Sequence, residues 1–98
     1  MKAAANNITK VSLELGGKAP AIVMQDADIE LAAKSITSSR IINTGQVCNC
    51  AERVYVHESI YDAFLENILE KFQNVKYGNP NTDRSVHMGP LINAEALA

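Results

Sequence analysis

Ala21-Ile22-Val23-Met24-Gln25-Asp26-Ala27-Asp28 joins a short apolar run to two carboxylates, and its reading decides the fold class. Four apolar residues in a row have the character of a buried strand. An Asp at a helix start accepts hydrogen bonds from backbone N–H groups that have no partner within the helix. Ile29, Ala32, Ala33 and Ile36 follow at helical spacing, so the sequence predicts a helix ending near Arg40 or Ile41. Arg53-Val54-Tyr55-Val56 then reads as a further strand. Strand, helix, strand is an α/β pattern.

Working outward, Ala3 to Asn7 reads as the frayed end of a helix. From Ile8 to Leu15 the residues alternate, with Val11, Leu13 and Leu15 on one side and Ser12 and Glu14 on the other. That is the period of a half-buried strand, and Gly16-Gly17 stops it. Towards the other end, Ser59 and Asp62 resemble a capping box with Asp in place of Glu. Ile60, Phe64, Ile68, Phe72 and Val75 form one apolar stripe, the clearest helix in the chain. Gly78-Asn79-Pro80-Asn81 ends it by turn chemistry, and Gly89-Pro90 is another break. Asn93 is placed to cap a helix beginning at Ala94. The expected order is strand, strand, helix, strand, helix with unfinished elements at both ends, as in a piece of a longer α/β enzyme.

Ninety-eight residues make at most one domain, here a partial one with a small core. Hydrophobic residues make up 47% and charged residues 20%, the composition of a folded rather than a disordered chain. The net charge is -2 with both signs scattered, so no basic patch argues for nucleic acid. No apolar run is long enough to span a membrane, and the first residues lack a secretory signal. Two cysteines one residue apart do not make a disulfide framework, which suits a reducing cytoplasm.

The chemistry concentrates in Asn43-Thr44-Gly45-Gln46-Val47-Cys48-Asn49-Cys50. A thiol is a useful nucleophile only as thiolate, which nearby backbone amides or a cation can favour. Residues 47–51 are compatible with a helical turn whose N–H groups aim at Cys48. Gln46 and Asn49 flank the thiol, and Arg53 is close in sequence. An amide side chain here could help hold an oxyanion. The competing reading is a buried structural cysteine, the commoner fate of a free thiol. Cys48 and Cys50 with only His57 and His87 lack the spacing of a metal site, so no metal is expected. Glu14, just before two glycines, is a candidate general base or a solvent-facing charge that Lys18 could pair. Gly16-Gly17-Lys18 lacks the spacing of a phosphate-binding loop.

Leu13-Glu14-Leu15-Gly16-Gly17-Lys18-Ala19-Pro20 resembles the glutamate signature of the NAD(P)-dependent aldehyde dehydrogenase superfamily. Asn43 to Cys48 resembles its cysteine signature, and the separation of 34 residues (48 − 14) is that expected in the family. Gly78-Asn79-Pro80 and Met88-Gly89-Pro90-Leu91 look like its downstream landmarks. The wording from Gly45 to Arg53 is similar to the bacterial lactaldehyde dehydrogenase branch. The resemblance implies that Cys48 attacks an aldehyde to give a thiohemiacetal. It implies hydride loss to NAD, or NADP, leaving a thioester that Glu14-activated water hydrolyses. The Cys48 N–H would supply half of an oxyanion hole. Residues 1–17 would end the cofactor domain and 18–98 begin the catalytic domain. The family's upstream oxyanion Asn, its dinucleotide-binding domain and its oligomerisation arm would lie outside the stretch. The expectation is therefore a fragment of the aldehyde dehydrogenase fold at the domain junction, with a small aldehyde as the whole enzyme's substrate. It would not bind the cofactor tightly or turn over by itself. The alternative is a catalytically silent α/β piece that acts, if at all, by self-association through open sheet edges.

Overall fold

The structure, a computed structural model, describes residues 1–97. Its helices are α1 (Lys2–Ala5), α2 (Ile29–Ile41) and α3 (Tyr61–Gln73), and its strands are β1 (Pro20–Val23) and β2 (Arg53–Val56). Short 3-10 turns occupy Ile42–Gly45, Glu58–Ile60 and Glu95–Leu97. The strands pair in parallel, from Pro20 opposite Arg53 to Val23 opposite Val56. Parallel strands need a crossover between them, and α2 supplies it. Of the two carboxylates at the predicted helix start, Asp28 caps α2, its Oδ1 accepting the Leu31 N–H at 3.0 Å.

The core is a single cluster of Val23, Ala33, Ile36, Phe64 and Ile68, with Ile29, Ala32, Val56 and Ile60 packed at its margin. The periodic residues of both helices therefore meet over one face of the sheet. Phe72, at the end of the α3 stripe, is exposed, and Val75 is half-buried. Asn93 accepts the Ala96 N–H at 2.9 Å, capping the last short turn.

Three expectations fail. Ile8 to Leu15 is not a strand; it runs unpaired, with Val11, Leu13 and Leu15 exposed. Alternation builds a strand only beside a second backbone that accepts its hydrogen bonds, and no described segment runs beside this one. β1 is not buried on both faces, since Val23 is 3% exposed but Ile22 is 69% exposed. A parallel strand is covered twice only when helices lie on both faces, and here both lie on the Val23 side. The capping box is also absent. The turn at Glu58–Ile60 moves the helix start past Ser59, leaving Ile60 as an N-cap without a side-chain bond. The Ser59 N–H instead donates to His57 Nδ1 at 3.2 Å.

Candidate active site

Helix α2 delivers the chain to the site and then reverses it. Asn43, Thr44 and Gly45 all adopt positive φ, at 46°, 59° and 76°. Two non-glycine residues in succession in the left-handed region need fixing from outside. The Asn43 side chain donates to the Gln46 carbonyl at 3.2 Å, and the Gln46 side chain returns a bond to the Asn43 carbonyl at 3.0 Å. Thr44 Oγ1 donates to the Gly89 carbonyl at 3.2 Å, and Gln46 Oε1 accepts the Ile92 N–H at 2.8 Å. The downstream Gly89–Ile92 segment thus braces the turn.

The two cysteines separate cleanly. Cys48 is exposed and Cys50 is buried. The Cys50 thiol donates to the Gly45 carbonyl at 3.1 Å, and its sulfur accepts from Arg40 Nη1 at 3.3 Å. Val47 to Cys50 is a turn closed by the Cys50 N–H on the Val47 carbonyl at 3.2 Å. It is not the helical turn the sequence allowed, so no helix N-terminus faces the thiol.

Glu14 comes to the site on the unpaired segment before β1. What holds that segment is its far end: Arg53 donates to the Lys18 carbonyl at 3.1 and 2.8 Å through Nε and Nη2, and the Glu52 N–H donates to the Ala19 carbonyl at 3.0 Å. A Cβ on Gly17 would lie 3.0 Å from the Cys48 carbonyl oxygen, so only glycine lets the two stretches approach this closely. Glu14 and Cys48 line one open cleft of about 420 Å³, together with Arg40, Gly45 and Glu52.

Several sequence assignments change. Arg53 does not face Cys48; its guanidinium is spent on the Lys18 carbonyl and the Tyr55 hydroxyl. Gln46 turns both ends of its amide to the loop brace, Nε2 donating to the Asn43 carbonyl and Oε1 accepting the Ile92 N–H. Lys18 pairs with Glu52 at 2.8 Å rather than with Glu14. That hydrogen bond, with the nearby charges of Lys18, Arg40 and Arg53, holds the Glu52 carboxyl below its ordinary value. Arg40 and Glu52 are the cleft residues sequence reasoning missed. Arg40, on the last turn of α2 and five residues before Gly45, carried a readable signal; Glu52 carried none.

An exposed thiol and a carboxylate that line one cleft are the two groups that nucleophilic attack and base-assisted hydrolysis require. Residues for a dinucleotide are a different matter. Gly16-Gly17-Lys18 lies outside any helix or strand with no helix start behind it, and Lys18 pairs with Glu52. Such a stretch does not form a phosphate cradle. Among the described residues no three His, Cys, Asp or Glu side chains are grouped to hold a metal, and no helix is long and apolar enough to cross a membrane.

Residues 1–98 match the aldehyde dehydrogenase family. The chain is 65% identical over 97 residues to lactaldehyde dehydrogenase of Escherichia coli, covering 99% of this chain and 20% of that protein. The crystal structure of that Escherichia coli enzyme superposes with a TM-score of 0.91 at 64% identity, over 98% of this chain and 20% of the other. A structure of 3,6-anhydro-L-galactose dehydrogenase in complex with NAP superposes with a TM-score of 0.89 at 51% identity, again over 98% and 20%. The chain thus spans about a fifth of the length of the relatives it matches.

Proposed function

The chain belongs to the aldehyde dehydrogenase family, and from that premise we propose that Cys48 is the nucleophile and Glu14 the general base of an aldehyde oxidation. The observation that carries this is their convergence on one cleft from 34 residues apart (48 − 14), with Gly17 against the Cys48 carbonyl. The Cys48 sulfur adds to the carbonyl carbon of a small aldehyde, and the carbonyl electron pair moves to oxygen. A nicotinamide dinucleotide held by residues outside this stretch would take the hydride from that adduct and so leave a thioester. Glu14 takes a proton from water as the water oxygen attacks that thioester. The carbon–sulfur bond then breaks, the carboxylate departs and the thiolate is restored.

The hydride acceptor in this reading is NAD, with NADP as the alternative; the NAP-bound relative supports a nicotinamide dinucleotide. The residues present do not form its site, so the hydride step belongs to a longer protein and the hydrolytic half to this chain. Residues 1–17, ending on Gly16-Gly17, close the cofactor domain and 18–98 open the catalytic domain, and the setting is cytoplasmic.

A second reading, a silent piece that self-associates, is favoured by the exposed Ile22 side of the sheet and the unpaired outer edges of both strands.

A nitrophenyl ester separates the two, because it acylates a thiol without hydride transfer. Slow cleavage that disappears in Cys48→Ala is expected, with Glu14→Gln keeping the first acylation and losing turnover. Neither the unaltered chain nor either variant should produce NADH from an aldehyde. Ester cleavage that survives Cys48→Ala removes Cys48 from the role, and Cys48-dependent NADH production makes the chain a complete enzyme.

A further inference from the structure

We infer that Arg40 and Cys50 form a latch that sets the position of the Cys48 loop, making both of them positioning residues. This rests on the reading of Cys48 as nucleophile. The loop from Gly45 to Cys50 is a small closed ring: the Cys50 thiol bonds back to the Gly45 carbonyl at 3.1 Å, and the Cys50 N–H bonds to the Val47 carbonyl at 3.2 Å. Cys48 sits inside that ring. Arg40 locks it from the helix side, donating through Nη1 to the Cys50 sulfur at 3.3 Å. Arg40 also packs on Gly45, where a Cβ would meet the Arg40 backbone carbonyl at 3.2 Å and the guanidinium Cζ at 3.4 Å.

The charge pattern makes the assignment specific. Among the described residues Arg40 takes part in no ion pair; the two present are Lys18–Glu52 and Lys71–Glu30. A half-buried guanidinium keeps its charge and needs acceptors, and the Cys50 sulfur is the side-chain acceptor it has found. Sulfur is a weak acceptor and a weak donor, so the pair holds the loop by combining two modest bonds with close packing on a glycine. Cys50 is thereby a fixed pivot two residues from an exposed thiol, and its burial follows from that role. A Cys50→Ser variant keeps a donor for Gly45 and an acceptor for Arg40, whereas Cys50→Ala removes both. Arg40→Met keeps the apolar stem and removes the donor; Arg40→Lys keeps a donor.

The test is amide hydrogen exchange of the full chain, read residue by residue, alongside Cys48-dependent ester cleavage. Cys50→Ala and Arg40→Met should speed exchange of the Cys50 and Gln46 amides about five- to tenfold, the scale of one net hydrogen bond. The core amides of Phe64 and Ile68 should not move. Ester cleavage should slow in the same two variants, and Cys50→Ser and Arg40→Lys should recover most of both effects. Unchanged loop exchange in Cys50→Ala and Arg40→Met overturns the latch, as does acceleration that spreads equally to the core. If the unaltered chain shows no Cys48-dependent cleavage, the nucleophile reading fails by itself, and the exchange pattern still decides the latch.

Discussion

At the scale of single residues, two thiols separated by one asparagine meet opposite fates. Cys50 is 6% exposed and hydrogen-bonded on both sides of its sulfur, while Cys48 is exposed in the cleft. Alkylation requires access as well as thiolate. Limiting iodoacetamide on the native chain should therefore label Cys48 first, with the preference vanishing in denaturant. Both thiols fall in the one tryptic peptide 41–53, so fragmentation of that peptide by tandem mass spectrometry reads the result, and equal labelling in the native state would show that the Gly45–Cys50 ring is open in solution. Sequence chemistry singled out Cys48 but credited its surroundings wrongly. Arg53 was the nearer arginine in sequence, yet its guanidinium turns to the Lys18 carbonyl because β2 pairs alongside the end of that segment.

At the scale of elements, α2 controls the site because its last turn carries Arg40 and Ser39, and Ser39 Oγ accepts the Ala51 N–H at 3.1 Å. Anything that frays α2 loosens the loop that follows. Its start depends on the Asp28 cap, and its middle on Ala33 and Ile36 against Phe64 and Ile68. Asp28→Ala should cost about 1 kcal/mol, while Phe64→Ala, which empties the centre of the buried cluster, should cost about 3–5 kcal/mol. Urea unfolding followed by circular dichroism compares the two. A cap effect as large as the core effect would mean that local helix stability, not packing, governs this chain. These elements were legible from spacing alone, because a helix and its cap are decided by residues within a few positions of each other.

At the scale of the whole molecule, the chain is extended. Its radius of gyration is 17.9 Å, against about 13 Å for a compact domain of this size. A two-stranded sheet leaves both outer edges unpaired, and Leu13, Leu15 and Ile22 stand in solvent with them. Open edges beside apolar surface invite pairing with another copy. Light scattering over a concentration series should show mass rising with concentration, and a constant monomer mass throughout would remove the self-association reading.

The sequence by itself determined the βαβ order, the Asp28 cap, the apolar stripes of α2 and α3, and the two signatures around Glu14 and Cys48. Each is written in a window of a few residues, where hydrophobic period and capping chemistry act. Tertiary structure alone decided that Ile8 to Leu15 stays unpaired, that one face of β1 is bare, and that Arg40 rather than Arg53 reaches the cysteine loop. Those outcomes depend on which backbone lies alongside. An alternating segment is the same string with or without a neighbouring strand, and an arginine reads the same whether its helix points it at a sulfur or its strand points it at a carbonyl.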